Sequence, residues 1–323
     1  MINYKNFFKT VTIDFLSFVI GILFCELILR VKHHYVVNYD IEMWKYAKKL
    51  KVKVENKKIN HVHTKNKSAI LQKTEIKINN FGQREINYDQ SFLKNYDRSF
   101  LVLGSSVAMG WGVDSQKVFT NRLTERFAKD NKKWIFINGG VGNYNTERYI
   151  NNYFENWKEN TFSDIIIHFF VNDTEIINST KTNFFLNNFH LGVVVWKLIN
   201  SYASVFNPEN IEDYYRDRYE DDYAGYQIAL KELKRLSAHC KKEKIRCHII
   251  LMPDIHKLNP YRLGFINEKI KKVALDLDFE FFDLLDTFEG IDEKKVWNRY
   301  GDPHPNGYAN LLMSNDIYDY LNK

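Results

Sequence analysis

"FLVLGSSVAMGWGV", residues 100–113, runs an apolar segment into two serines and a turn that carries Gly110 and Gly112. Packing has no use for adjacent hydroxyls at the mouth of a buried strand. Ser106 taken alone reads as a helix cap, a position serine favours. Taken as a nucleophile it needs help, because a serine hydroxyl is weak until one group removes its proton and others hold the charge it creates. The rest of the chain decides between the two.

Outward from this stretch, short β-rich runs alternate with longer helical ones. The runs are 99–104, 134–138 ("WIFIN"), 164–170 ("DIIIHFF"), 247–252 ("CHIILM") and 279–283 ("FEFFD"), and helices are expected at about 116–130, 145–158, 222–244, 261–276 and 306–322. In 222–244, Tyr226, Leu230, Leu233 and Leu236 recur at helical spacing. Strands alternating with helices imply right-handed βαβ units. The expected fold is therefore α/β, a three-layer α/β/α flavodoxin-like sandwich with a central parallel sheet, over residues 96–323. Chemistry in such sheets collects beyond the carboxyl ends of the strands.

Four polar or glycine-bearing loops fall there: "GSS" (104–106), "NGGVGNYNT" (138–146), "VNDT" (171–174) and "YGDPHPNGYAN" (300–310). Together they offer a hydroxyl, backbone amides, a carboxamide and an imidazole, the parts acyl transfer requires. His304, between two prolines in a loop, is oddly placed for a core histidine. Asn172 and Asp173 also read as an Asx-turn, the main reading for Asp173.

In order, these loops resemble the blocks of the SGNH (GDSL-type) hydrolase superfamily. "GSSVAMGWG" is similar to block I, "FVND" to block III and "DPHPN" to block V, within a match over about residues 75–323. "ELILR" and "NNFGQRE" (79–85) are similar to its membrane-anchored bacterial subgroup. The resemblance implies Ser106 as nucleophile, His304 as base, Asp302 as the triad's carboxylate, and an oxyanion hole from the amides of Ser106 and of Gly142 or Asn143 with the Asn172 carboxamide. Four departures stand out. Ser105 replaces the usual aspartate, Asn143 stands at the block II glycine, Phe170 at the block III glycine, and Asp302 lies two residues before His304 instead of three. Asparagine tolerates the left-handed conformation, and i, i+2 side chains of an extended segment leave the same face. Trp111 and Tyr144 flank the loops, either packing or stacking on a sugar ring. The activity implied is that of a serine esterase or O-acyltransferase on small acyl, often acetyl, esters of a cell-envelope polysaccharide or glycolipid. The alternative is a non-catalytic SGNH-fold glycan-binding or scaffold protein. No cofactor is implied.

Residues 11–31 are the most apolar of the chain, and from Phe15 to Val31 only Glu26 and Arg30 are charged. That i, i+4 pair can meet on one helix face. The seventeen residues suit an uncleaved single-pass anchor (domain 1–31) in the inner membrane. The lysine count around it, taken literally, keeps the large domain cytoplasmic, whereas the resemblance favours an extracytoplasmic one. Lysine-rich residues 32–95 read as a juxtamembrane connector, with 45–58 as a solvated basic face. Cys25, Cys240 and Cys247 include no CxxC, so free thiols are expected, with a 240–247 bridge open in an oxidising compartment. His61 and His63 are the one close histidine pair, and no metal site is expected. A formal charge of +6 without a recognisable motif points to no nucleic-acid partner.

Overall fold

The computed structural model describes residues 4–84, 88–178, 183–203, 211–300 and 302–323. Five parallel strands form its central sheet: β1 (Arg98–Gly104), β2 (Trp134–Gly140), β3 (Asp164–Phe170), β4 (Arg246–Met252) and β5 (Glu280–Asp283), in the order β2-β1-β3-β4-β5. Each lies within two residues of the run that predicts it. Strands covered on both faces read as continuous apolar runs, which is why they are visible in sequence.

Side chains still alternate between the faces. Leu101, Leu103, Ile165, Ile167, Ile249 and Leu251 enter one core with Tyr149, Tyr153, Leu233 and Ile270. Phe100, Val102, Ile166 and Ile250 enter a second with Val107, Leu123, Phe127, Met313 and Ile317. The helices divide accordingly. Short α3 (Ser106–Met109), α4 (Phe119–Lys129) and α10 (Gly307–Leu321) cover one face; α5 (Thr146–Asn156), α8 (Ala224–Glu243) and α9 (Gly264–Asp276) cover the other. This is the three-layer sandwich expected.

At the opposite edge from the strand-end loops, buried Asp164 accepts from Arg98 Nε (3.1 Å) and lies within 3.2 Å of His248 Nε2. Burial works to raise its pKa, but the bonds from His248, Arg98 and Ser163 outweigh that and hold the carboxyl well below the usual range. A depressed carboxylate contributes stability that is present above its unfolded pKa and lost as pH falls through the folded one. The urea midpoint should therefore drop as pH falls below about 4, and Asp164→Asn should flatten that acid limb. Removing one partner of a buried pair typically costs about 3–5 kcal/mol, so the variant should also be less stable at neutral pH.

Contacts group the chain into two compact units, Met1–Lys48 with Thr180–Val205, and Lys49–Ser179 with Phe206–Lys323. They do not follow the expected boundaries at 31 and 95. In the larger unit, two antiparallel hairpins precede the sheet, Lys51–Lys53 with His61–His63 and Lys67–Leu71 with Thr74–Ile78. Arg84 then donates its backbone N–H to Asn138 O of β2 at 2.9 Å. Residues 49–84 are therefore part of the larger unit. Lysines and Glu75 on the outer face obscure the alternation that buries Ala69, Leu71, Ile76 and Ile78.

The smaller unit contains α1 (Tyr4–Tyr35), α2 (Tyr39–Leu50, of which the last two residues fall in the larger unit), α6 (Phe184–Asn188) and α7 (His190–Ala203). The apolar helix is longer than its charge-free core, spanning residues 6–35 by hydropathy. The free-thiol expectation is corrected at Cys240 and Cys247, which are bridged with Cα atoms 6.5 Å apart and so join α8 to β4; Cys25 is free and exposed. A seven-residue separation carries no framework signature, so only the fold brings the two together.

Candidate active site

β1 ends at Gly104, where a Cβ would lie 2.7 Å from the Ala108 Cβ. Ser105 occupies the cap position of α3 with no side-chain capping bond, and Ser106 opens the helix. The next strand over accommodates this turn: a Cβ at Gly140 would fall 2.3 Å from Met109 N, so only glycine lets α3 rest on β2.

The Ser106 hydroxyl does not cap the helix. Its Oγ lies 2.9 Å from His304 Nε2, and His304 Nδ1 lies 2.7 Å from Asp302 Oδ1. The short strand Asp302–Pro305 pairs with Trp297–Arg299 and so holds Asp302 and His304 on one face. Asp302 is buried, while Ser106 and His304 are partly exposed. Burial works to raise the Asp302 pKa, but the bonds and charge of His304, with the Asn298 amide, hold the carboxyl below its ordinary value. Gln72 Nε2 (3.2 Å) and Asn298 Nδ2 (3.3 Å) donate to its other oxygen. With Asp302 ionised, Nδ1 carries the imidazole proton and Nε2 presents its lone pair to the Ser106 hydroxyl. A hydroxyl, an imidazole and a carboxylate thus form one hydrogen-bonded line.

The candidate oxyanion donors stand on either side of Ser106. Gly104 pairs in register with Gly140 of β2 and with His168 of β3, so the Gly142–Asn143 loop and Asn172 flank the turn at Ser106. Asn143 has φ +65°, the left-handed conformation that its place at the block II glycine calls for. The Gly142 carbonyl accepts from Lys51 Nζ (2.7 Å) and His61 Nε2 (3.1 Å). Across a trans peptide the C=O and N–H point in opposite directions, so the Asn143 N–H faces away from Lys51 and His61. Arg148 Nη1 holds the Asn143 carbonyl at 2.8 Å. Burial and the nearby Arg148 charge push the Lys51 ammonium down to about 7; burial and Lys51 lower His61 as well. The basic face expected at 45–58 is therefore not simply solvated. The Asn172 carboxamide is partly exposed, and its buried Oδ1 has no hydrogen-bond partner among the described residues.

Other expectations change. Trp111 is fully buried with its ring 6.5 Å from that of His304, and Tyr144 is 1% exposed with its hydroxyl bonded to the His61 carbonyl. Neither can stack on a substrate; both support the loops from below. Asp173 does not form an Asx-turn: its carboxylate accepts from Phe170 N at 3.1 Å, and burial drives its pKa well up. His61 Nε2 is already engaged with the Gly142 carbonyl. His63 Nδ1 donates to Gly82 O, and burial lowers its pKa to about 3.

Sequence reasoning missed Arg84. Its buried guanidinium donates to the carbonyls of Met109 (2.7 Å), Gly110 (2.8 Å) and Val113 (2.7 Å), clamping the turn that follows the serine. The one available signal was "NNFGQRE", similar to the anchored subgroup and without an assigned role.

No protein-family model matches the chain, and no curated protein does. Similar solved structures include the psychrotrophic esterase EstA from Pseudoalteromonas sp., 12% identical over 70% of this chain and 100% of that one, with a TM-score of 0.45. A lipase/acylhydrolase from Enterococcus faecalis is 12% identical over 69% and 95%, with a TM-score of 0.43. A two-domain esterase active on acetylated mannans is 12% identical over 70% of this chain and 48% of that one, with a TM-score of 0.44.

Proposed function

We propose that this chain is an SGNH-type serine esterase or O-acyltransferase, acting on small acyl esters through an acyl-enzyme at Ser106. The observation that carries this reading is the continuous line from Ser106 Oγ through His304 to Asp302. His304 Nε2 takes the hydroxyl proton as Oγ attacks the ester carbonyl. Asp302 keeps the imidazole in the required tautomer and stabilises the imidazolium. The oxyanion is received by the amides of Ser106 and Asn143 and by the Asn172 carboxamide. His304 then protonates the leaving alcohol. Water or an acceptor hydroxyl, deprotonated by the same imidazole, releases the acyl group.

The substrate class we propose, acetyl esters on an envelope polysaccharide or glycolipid, rests on the resemblance. Incubating pure protein with an acetylated oligosaccharide, with and without an unacetylated acceptor, tests it. Free acetate marks a hydrolase and newly acetylated acceptor a transferase; neither product from folded protein would count against both. Within this reading Asn172 donates only to the developing oxyanion. Asn172→Ala should therefore lower kcat about 10²–10³-fold with little change in KM and an unchanged unfolding midpoint.

We further propose that α1 anchors the chain in the membrane and that the hydrolase-like unit is extracytoplasmic. The Cys240–Cys247 bridge supports this side, since disulfides persist in oxidising compartments and are rare in the cytosol. In intact cells, a thiol reagent added without reductant should modify neither Cys240 nor Cys247, and both should react after reduction. Free reactivity of both would place the unit on the reducing side.

A further inference from the structure

Glu26 and Arg30, the two charges in the apolar helix, have a use beyond pairing with each other. Arg30 Nε donates to Glu26 Oε1 at 2.7 Å. Glu26 also accepts the backbone N–H groups of His190 (3.0 Å) and Leu191 (2.8 Å), the free donors that open α7. Arg30 Nη2 donates to Asn188 O at 2.8 Å, a carbonyl at the end of α6. A carboxylate at a helix start and a cation at a helix end both complement the helix dipole. The pair thus fastens α6–α7 to α1 five positions inside Val31, which is about 7 Å at 1.5 Å per residue.

Beyond this fastening, α7 and α1 border an apolar cavity of about 550 Å³ whose walls include Val19, Ile22 and Leu23 from α1, Val195 and Ile199 from α7, and Phe189 between α6 and α7. Val19 lies twelve positions inside Val31, or about 18 Å, near the centre of a hydrocarbon layer roughly 30 Å thick. Side chains of α7 that share a cavity with Val19 reach the same layer. Their exposure fits: Phe184 and Phe185 are 67% and 66% exposed, Leu198 54% and Ile199 64%. α7 also carries a polar border. Lys197 pairs with Asp40 at 3.4 Å, and Trp196 meets Trp44 edge to face. An apolar face beside a tryptophan and lysine border is the pattern of an interfacial helix.

We propose that α6–α7 is a second membrane-inserted element, docked beside the anchor, and that acyl chains of the surrounding lipid fill the cavity between them. The proposal rests on the reading of α1 as an anchor and is independent of the acyl-transfer reading. It is tested with the full chain in vesicles of phosphatidylethanolamine and phosphatidylglycerol, on a Cys25→Ser background. Nitroxide labels are placed one at a time at Leu198→Cys, Ile199→Cys, Phe18→Cys as the span reference and Glu75→Cys as the water reference. Collision with oxygen, soluble in lipid, is compared with collision with an aqueous nickel chelate. The expected result is a several-fold higher oxygen-to-nickel ratio at 198 and 199 than at 75, close to that at 18. A water-like ratio at 198 and 199 with a lipid-like one at 18 overturns the insertion and leaves the anchor. A water-like ratio at 18 overturns both. Low collision with both reagents at 198 and 199 means that a protein covers the face, and overturns lipid as the occupant.

Discussion

Ser106→Ala should abolish labelling by a fluorophosphonate and lower turnover of a simple acetyl ester by about four orders of magnitude or more. His304→Ala should do nearly the same, because the 2.9 Å contact makes the two side chains one functional unit. Losses of groups that act together do not add, so the double variant should be little worse than either single one. Asp302→Asn should have a distinct signature. Its buried carboxylate fixes the imidazole tautomer, and an amide would favour the wrong one. Labelling should then be slow but detectable, and the residual rate should rise with pH. A His304→Ala protein that labels as fast as the parent would remove the base from the scheme; a parent that never labels would favour the non-catalytic binding module.

Arg84→Met is the second large expected effect, on stability as well as activity. The substitution keeps the volume but leaves the carbonyls of Met109, Gly110 and Val113 without their charged donor. Hydrogen bonds to a charged group contribute about 1.5–3 kcal/mol each, and the three share one guanidinium. A total loss of about 3–4 kcal/mol is expected, or a fall in Tm on the order of 10 °C for a domain of this size. Because the clamped turn follows Ser106, kcat should fall even at temperatures where the variant is fully folded, and Arg84→Lys should restore only part of either quantity. A single ammonium cannot satisfy the fork that meets all three carbonyls. Unchanged thermal unfolding would mean that water replaces the guanidinium and that the clamp is dispensable.

The contrast between these residues shows what a sequence discloses. Strands β1 to β5 were legible because burial on both faces imposes unbroken apolar runs, and the meeting of Ser106 with His304 because both lie in polar loops at strand ends. Asp302 was legible from the i, i+2 geometry of an extended segment. Arg84, Lys51 and His61 were not. Each acts on backbone carbonyls, which every residue possesses, so no complementary side-chain pattern marks the partner. Trp111 and Tyr144 were ambiguous because an aromatic beside a site loop looks the same in sequence whether it faces substrate or core. The membership of α7 was hidden for another reason: periodicity identifies a helix but not the surface it packs on, and the Glu26 contact spans more than 160 positions.

The hairpin that carries Lys51 and His61 bears on where this protein can be cut. A chain begun at Arg98 would keep Ser106, His304 and Asp302, and it would look whole by any count of the proposed catalytic side chains. It would lack the Lys51 and His61 donors that hold the Gly142 carbonyl and the guanidinium that shapes the turn after Ser106. Such a fragment would bind a covalent probe poorly for want of geometry, and its inactivity would be misread as evidence against the proposed esterase. The shortest honest version of this molecule for the bench starts before residue 51, in the stretch that composition alone would discard as a tether.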